Sequence, residues 1–227
     1  MRQSGYSARL ESGFPCGYPG SNPGAGALTM RKNKLVNYAR RILEKYDVKP
    51  IYIMISGAHL YGFPSKDSDY DIRCTHIIPT TKLFHLKKPK EVIEHSMKID
   101  GVEIDLVSFE IEKTINLILN NNSNVLEQIT GENLNPTIEH KELVKLAKNA
   151  MSKKVYNPYK GMALQNYKKF IESKNTAYEC KAVKKYLYIL RSYMAGINAL
   201  KTGDIEPNIN NLNKKFKLSI VNKLVEL

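Results

Sequence analysis

The chain of 227 residues has little cysteine, little arginine and no long apolar stretch. Its three cysteines, Cys16, Cys74 and Cys180, are odd in number, far apart and in no C-x-x-C pair. A disulfide framework and a zinc knuckle are thereby excluded, and a reducing cytoplasm is the expected compartment. No segment approaches the run of about 18 apolar residues that a membrane span needs. The N-terminus lacks the hydrophobic core of a secretory signal. His76, His85, His95 and His140 form no catalytic constellation, and neither an internal repeat nor a low-complexity tract is found.

Positive charge is abundant. The formal net charge is +13, with 35 basic residues, of which seven are Arg and 28 Lys. Such a balance suits a polyanionic partner. The lysine is accompanied by much Asn, Ile and Tyr, a set with A/T-rich codons, so a solvated basic face explains it equally well. Lysine runs such as Lys87-Lys88 and Lys153-Lys154 identify no binding site on their own.

The first 29 residues differ from all that follow. They hold six of the 13 glycines, three of the 10 prolines and no lysine. Gly20-Ser21-Asn22-Pro23 is what the usual T-arm sequence of a transfer RNA gene encodes in frame. Residues 1–29 are therefore read as a disordered tail or as translated transfer RNA gene, with Met30 as the start, and carry no chemistry.

Chemistry concentrates at Ser68-Asp69-Tyr70-Asp71. In an extended strand alternate side chains share a face, so Asp69 and Asp71 emerge side by side. Two anions this close require a shared proton or a cation, and hard oxygen donors suit magnesium, which also takes substrate phosphate. A polar turn opening a strand is the alternative. Upstream, Ile51-Tyr52-Ile53-Met54-Ile55 reads as a buried strand. It stops at Ser56-Gly57, where glycine permits a sharp turn and a close approach to a ligand. Ala58 to Tyr61 opens a short helix, and Gly62 and Pro64 break the chain before the acidic strand.

Asp100-Gly101 marks a two-residue hairpin between strands at residues 94–99 and 102–108. Val102, Ile104 and Leu106 share one face; Glu103, Asp105 and Val107 share the other. Spacing alone does not choose between Glu103 and Asp105 as a third carboxylate. Before the first strand, Leu35, Val36, Ala39, Ile42, Leu43 and Tyr46 recur at helical spacing. After Phe109 the pattern turns helical at residues 111–119, 125–129, 143–151, 162–171 and 182–200. The expected fold is α+β: a small mixed sheet with flanking helices over residues 30–112, then a mainly helical domain over 113–227. On the last long helix, Val183, Leu187, Leu190, Met194 and Ile197 form an apolar stripe, and Lys184, Tyr188 and Arg191 form a second one. Arg191 among apolar neighbours is costly to bury unpaired. It either grips a triphosphate bidentately or pairs with a structural carboxylate such as Glu127.

The segment I-S-G-A-H-L-Y-G-F-P-S-K-D-S-D-Y-D-I-R resembles the first active-site block of the polymerase β nucleotidyltransferase superfamily. Asn121 to Ile129, Tyr159 to Gln165 and Lys184 to Arg191 with Thr202-Gly203 resemble, in order, the later blocks of one branch, the RNA repair pathway polymerase β family. The likeness covers most of residues 31–207. It implies a palm-like nucleotidyltransferase domain with Asp69, Asp71 and Asp105 as catalytic metal ligands. The metal would be two magnesium ions, or manganese in their place. Ser56, Gly57, His59, Ser68, Lys184 and Arg191 are then the nucleotide contacts. The implied reaction moves a nucleoside monophosphate from a triphosphate such as ATP to an acceptor hydroxyl, releasing pyrophosphate. RNA is the expected acceptor, and a protein hydroxyl, as in an AMPylating antitoxin-like relative, the alternative. One departure stands out: Gly57-Ala58 replaces the usual Gly-Ser, so a phosphate-binding hydroxyl is missing. Ser56 or Ser65 could supply one from nearby, and a non-catalytic RNA- or protein-binding relative is the competing reading.

Overall fold

The computed structural model describes residues 25–65, 68–86, 89–99, 101–172 and 180–226. Nearly all of the 1–29 segment, and Cys16, lie outside the described residues. The chain runs α1 (Ala25–Lys45), β1 (Lys49–Ile55), α2 (Gly57–Tyr61), β2 (Tyr70–Ile77), α3 (Thr80–Leu83), β3 (Val92–Ile99) and β4 (Val102–Glu110). Helices follow: α4 (Ile111–Leu119), α5 (Ser123–Thr130), α6 (Ile138–Ala150), a 3-10 turn (Lys153–Val155), α7 (Tyr156–Tyr167) with a π turn (Lys168–Glu172), α8 (Cys180–Thr202), α9 (Ile209–Phe216) and α10 (Ser219–Glu226). The expected α+β class is the one observed.

The four strands form one mixed sheet in the order β1-β2-β4-β3. β1 pairs antiparallel with β2, β2 parallel with β4, and β4 antiparallel with β3. The β3–β4 hairpin closes through Ile99 opposite Val102, with Gly101 at φ +81°, a conformation glycine adopts without steric cost. Chain alternation sorts the side chains onto two faces. Ile53, Tyr70, Ile72, Cys74, Ile93, Ile104 and Leu106 pack against Leu35, Val36, Tyr38, Ala39, Ile42 and Leu43 of α1. Burying each such side chain is worth about 1.5–3 kcal/mol at most, so this stripe is what docks α1. Tyr46, assigned to that stripe from the sequence, falls beyond the helix end and is 36% exposed.

On the other face Ile51, Tyr52 and Met54 join Ile118, Val125, Leu126, Ile129, Leu143, Tyr159, Leu187 and Met194 in a single core. The helices after residue 110 therefore cover this face of the sheet. α9 and α10, which were not singled out from the sequence, add Ile209, Leu212 and Val221 to the same core. α9 also clamps the start of the molecule. Gly62 ends α2 at φ +87°, and a Cβ there would stand 2.6 Å from the Asn208 side chain, while Asn210 donates to the Gly62 carbonyl at 2.8 Å. No helix among the described residues is long and apolar enough to cross a membrane.

Candidate active site

The acidic residues meet where β2 and β4 begin to run parallel. The register sets Asp71 opposite Asp105, directly across the strand pair. Tyr70 and Ile72 point into the α1 core, so Asp71 and Arg73 emerge on the other face. Asp69 precedes the strand and is exposed; the Asp71 and Asp105 side chains are 24% and 36% exposed. Asp105 accepts from Ser96 Oγ on β3 at 2.7 Å. Glu103, the other candidate third carboxylate, lies toward the hairpin end opposite Lys98 and is exposed.

Arg73 was not singled out from the sequence, although D-x-D-x-R places it in the same alternation. Its Nη2 donates to Asp71 Oδ1 at 2.7 Å, and its Nη1 lies 3.3 Å from Asp105 Oδ2. The same Nη1 reaches the carbonyls of Ile72 at 3.0 Å and Asp105 at 3.1 Å. Even so, the Asp71 carboxyl is held above its ordinary range. Burial is the largest cause; Arg73 opposes it, and the charges of Asp69 and Asp105 add to it.

The turn after β1 presses on this carboxylate. Ser56 is buried, and its N–H donates to the Asp71 carbonyl at 2.7 Å. Gly57 takes φ +64°, and a Cβ there would stand 2.0 Å from Asp71 Oδ2. Glycine is required both for the left-handed backbone and for the approach of the carboxylate. Ala58 is buried at the start of α2.

The 63–68 loop brings in the helical half. Ser68 is buried; its Oγ accepts from the Ser65 N–H at 2.9 Å and lies 3.0 Å from Ser65 Oγ. Lys184 of α8 donates to Ser65 Oγ, and its Nζ is 3.3 Å from Ser68 Oγ. One turn on, Tyr188 packs edge-on against Phe63 and Tyr61, with centroids 5.0 and 5.8 Å apart. Its hydroxyl pKa is raised, first by burial and next by the charge on Asp71. Lys184 and Tyr188 thus present one face of α8 to the loop ahead of β2.

Arg191 lies deeper. It is fully buried, donates to Glu127 Oε1 at 2.6 Å and stacks 3.6 Å over the Tyr61 ring. Of the two roles open from the sequence, the observed contacts are those of the pairing with Glu127. His59 points to the far side of α2. It stacks on Tyr70 at 4.4 Å, and both rings line a cavity of about 400 Å³ with Lys32, Glu132, Glu206 and Asn208. The structure therefore gathers Ser56, Gly57, Ser68, Asp69, Asp71, Asp105 and Lys184, and sets His59 and Arg191 outside that group.

Among the described residues no three His, Cys, Asp or Glu side chains converge tightly enough to cage a metal alone. The donor chemistry nevertheless fits a hard divalent ion. Magnesium is commonly held by one or two carboxylates completed by water and substrate phosphate, and Asp71 Oδ2 lies against the Gly57 turn.

The sheet thus sets an acidic pair across parallel strands beside a Ser-Gly turn. The chain matches the family described as the RNA repair pathway DNA polymerase beta family over residues 30–226, and it belongs to that family. It is 30% identical over 183 residues to the uncharacterized protein YcgL of Bacillus subtilis, covering 78% of this chain and 66% of that protein. It is 34% identical over 167 residues to the uncharacterized protein MJ0002 of Methanocaldococcus jannaschii, covering 71% of this chain and 64% of that one. The matched part thus spans slightly under two thirds of either relative. A nucleotidyltransferase-like protein of known structure from Exiguobacterium sibiricum aligns over 88% of this chain and 72% of its own, at a TM-score of 0.38 and 12% identity.

Proposed function

We propose that this chain is a divalent-cation-dependent nucleotidyltransferase. It moves a nucleoside monophosphate from a nucleoside triphosphate to a hydroxyl of RNA and releases pyrophosphate. The observation that carries the reading is the register of Asp71 opposite Asp105, with Asp71 Oδ2 turned toward Gly57. Carboxylates held this close disfavour their own charge, and a bound cation relieves that cost.

Asp69 and Asp71 would hold magnesium, which when bound neutralises charge developing on the transferred phosphate. The residues themselves do the positioning. Gly57 lets Asp71 Oδ2 lie against the turn, and the turn's backbone would cradle the triphosphate beside that carboxylate. Ser65, Ser68 and Lys184 offer two hydroxyls and a cation in place of the hydroxyl that Ala58 lacks. Lys184 thereby ties triphosphate binding to the helical half. Asp105, fixed by Ser96, lies across the strands from Asp71, where the acceptor hydroxyl must come to attack in line at the α-phosphorus.

The family description and the net charge of +13 favour RNA as acceptor. The buried, unpaired thiol of Cys74 is in keeping with a cytoplasmic protein. The deciding experiment incubates the protein with each α-labelled triphosphate and magnesium, with and without mixed cellular RNA. Label in RNA supports the reading. Label in protein moves the acceptor to a protein hydroxyl, and no label under any condition overturns enzymatic function in favour of a binding role.

A further inference from the structure

The acidic cluster already contains a cation. Asp71 and Asp105 carry four carboxylate oxygens between them. Asp71 Oδ1 accepts from Arg73, Asp105 Oδ2 faces Arg73 at 3.3 Å, and Asp105 Oδ1 accepts from Ser96. Among the described residues this leaves Asp71 Oδ2, the oxygen against Gly57. Two backbone carbonyls, of Ile72 and Asp105, complete the guanidinium's surroundings, and the side chain is 20% exposed. Four contacts to two strands make this a fitted site for a planar guanidinium fork.

We propose that Arg73 permanently fills one of the two cation positions, so that this chain binds a single divalent ion, at Asp69 and Asp71 Oδ2. Asp105 then acts as the anchor of Arg73 and is not a metal ligand. The inference rests on the nucleotidyltransferase reading and narrows it, replacing the two ions implied by the family resemblance. Charge supports it. Three carboxylates and one guanidinium leave two negative charges, which one divalent ion neutralises. A second ion between Asp71 and Asp105 would have to break the contacts of Arg73 and sit beside its charge, a like-charge arrangement that is strongly unfavourable in a partly buried site. Arg73 is accordingly a positioning residue. It holds Asp71 so that Oδ2 points at the Gly57 turn, and it supplies fixed positive charge where other members of the superfamily would use a metal.

The test counts ions rather than turnover. Mn²⁺ is titrated into the full chain, alone and with a non-hydrolysable triphosphate analogue, and bound metal per chain is read by equilibrium dialysis and electron paramagnetic resonance. One Mn²⁺ per chain is expected in both conditions. Asp69→Asn should abolish measurable binding, whereas Asp105→Asn should weaken it by no more than about tenfold, the lower end of what loss of an outer-shell partner costs. Arg73→Met should admit a second Mn²⁺, and its melting temperature should rise more steeply with Mn²⁺ than that of the wild type; if that variant does not fold, the wild-type count and the Asp105→Asn affinity decide. Two ions on the wild type, or loss of the ion in Asp105→Asn, overturns the inference and leaves nucleotide transfer standing. No ion in either condition overturns both.

Discussion

Gly57 and Asp71 constrain each other, since the α-carbon of one stands where a side chain would collide with the carboxylate of the other. Gly57→Val should displace Asp71 and close the space before it, raising the Michaelis constant for the triphosphate and slowing turnover, as steady-state kinetics would register. Ala58→Ser supplies the missing hydroxyl. A hydrogen bond to a charged group is worth about 1.5–3 kcal/mol, so a gain of about tenfold in kcat/KM is expected where geometry allows. A silent binding module would show no gain. Asp71→Asn should abolish transfer and leave the urea midpoint unchanged or slightly raised. Burial and its anionic neighbours already hold that carboxyl above its ordinary range, so ionising it costs the native state stability, and the amide is spared that cost. Glu103→Gln, exposed and away from the register pair, should be mild in both respects. Near-normal turnover in Asp71→Asn would remove it from the chemistry. At this scale the aspartates were legible because strand alternation is a local rule. The partnership of Arg73 with Asp105 was not, because it depends on β4 lying parallel to β2, a pairing between residues distant in the chain.

Among the elements, α8 joins the two halves of the molecule. Its Lys184–Tyr188 face meets the loop ahead of β2, while Arg191 sinks between Glu127 of α5 and Tyr61 of α2. The pair is almost wholly inaccessible, at 0% and 1% side-chain exposure. Removing one partner of such a pair strands the other charge, so Arg191→Met should lower unfolding free energy by about 3–5 kcal/mol in urea titrations. The double replacement Arg191→Met with Glu127→Gln should recover part of that loss. An Arg191 that chiefly bound triphosphate would instead give a normally stable variant with a raised Michaelis constant. The helix itself was readable from its apolar spacing, and the β3–β4 hairpin from Asp100-Gly101, since both signals are local. α9 and α10 were not. Each is only eight residues long, too short to be a stable helix alone, and they are held by the Asn208 cap on α9 and by the burial of Ile209, Leu212 and Val221 against distant residues.

At the scale of the whole molecule, His76, a buried histidine outside the acidic cluster, is expected to contribute to acid sensitivity. His76 is fully buried on β2 with Ser108 Oγ at 2.8 Å from its Nδ1, and burial lowers its pKa to about 4. As pH falls below 6.5 the unfolded chain takes up a proton that the native state refuses until about pH 4, so stability is lost over that window. Between pH 7 and pH 5 the loss should be about 2 kcal/mol in urea denaturation, and His76→Gln should flatten it. An unaltered slope in that variant would assign acid sensitivity elsewhere. The raised Asp71 works in the opposite sense. Its cost to the native state falls away as pH drops from its elevated folded value toward 3.8, so it contributes a gain on acidification at the low end. The amino-acid sequence by itself determined the α+β class, the strands that carry Asp71 and Asp105, and the amphipathic helix ahead of them. Each follows from side-chain period or turn chemistry within a few residues. Only the tertiary structure decided which charges meet: Arg73 between Asp71 and Asp105, Lys184 on Ser65 and Ser68, Arg191 on Glu127, and His59 turned away to a separate cavity. The choice of partner for a long cation is a contest between alternatives of similar chemistry, and it is settled by which surfaces the core brings together.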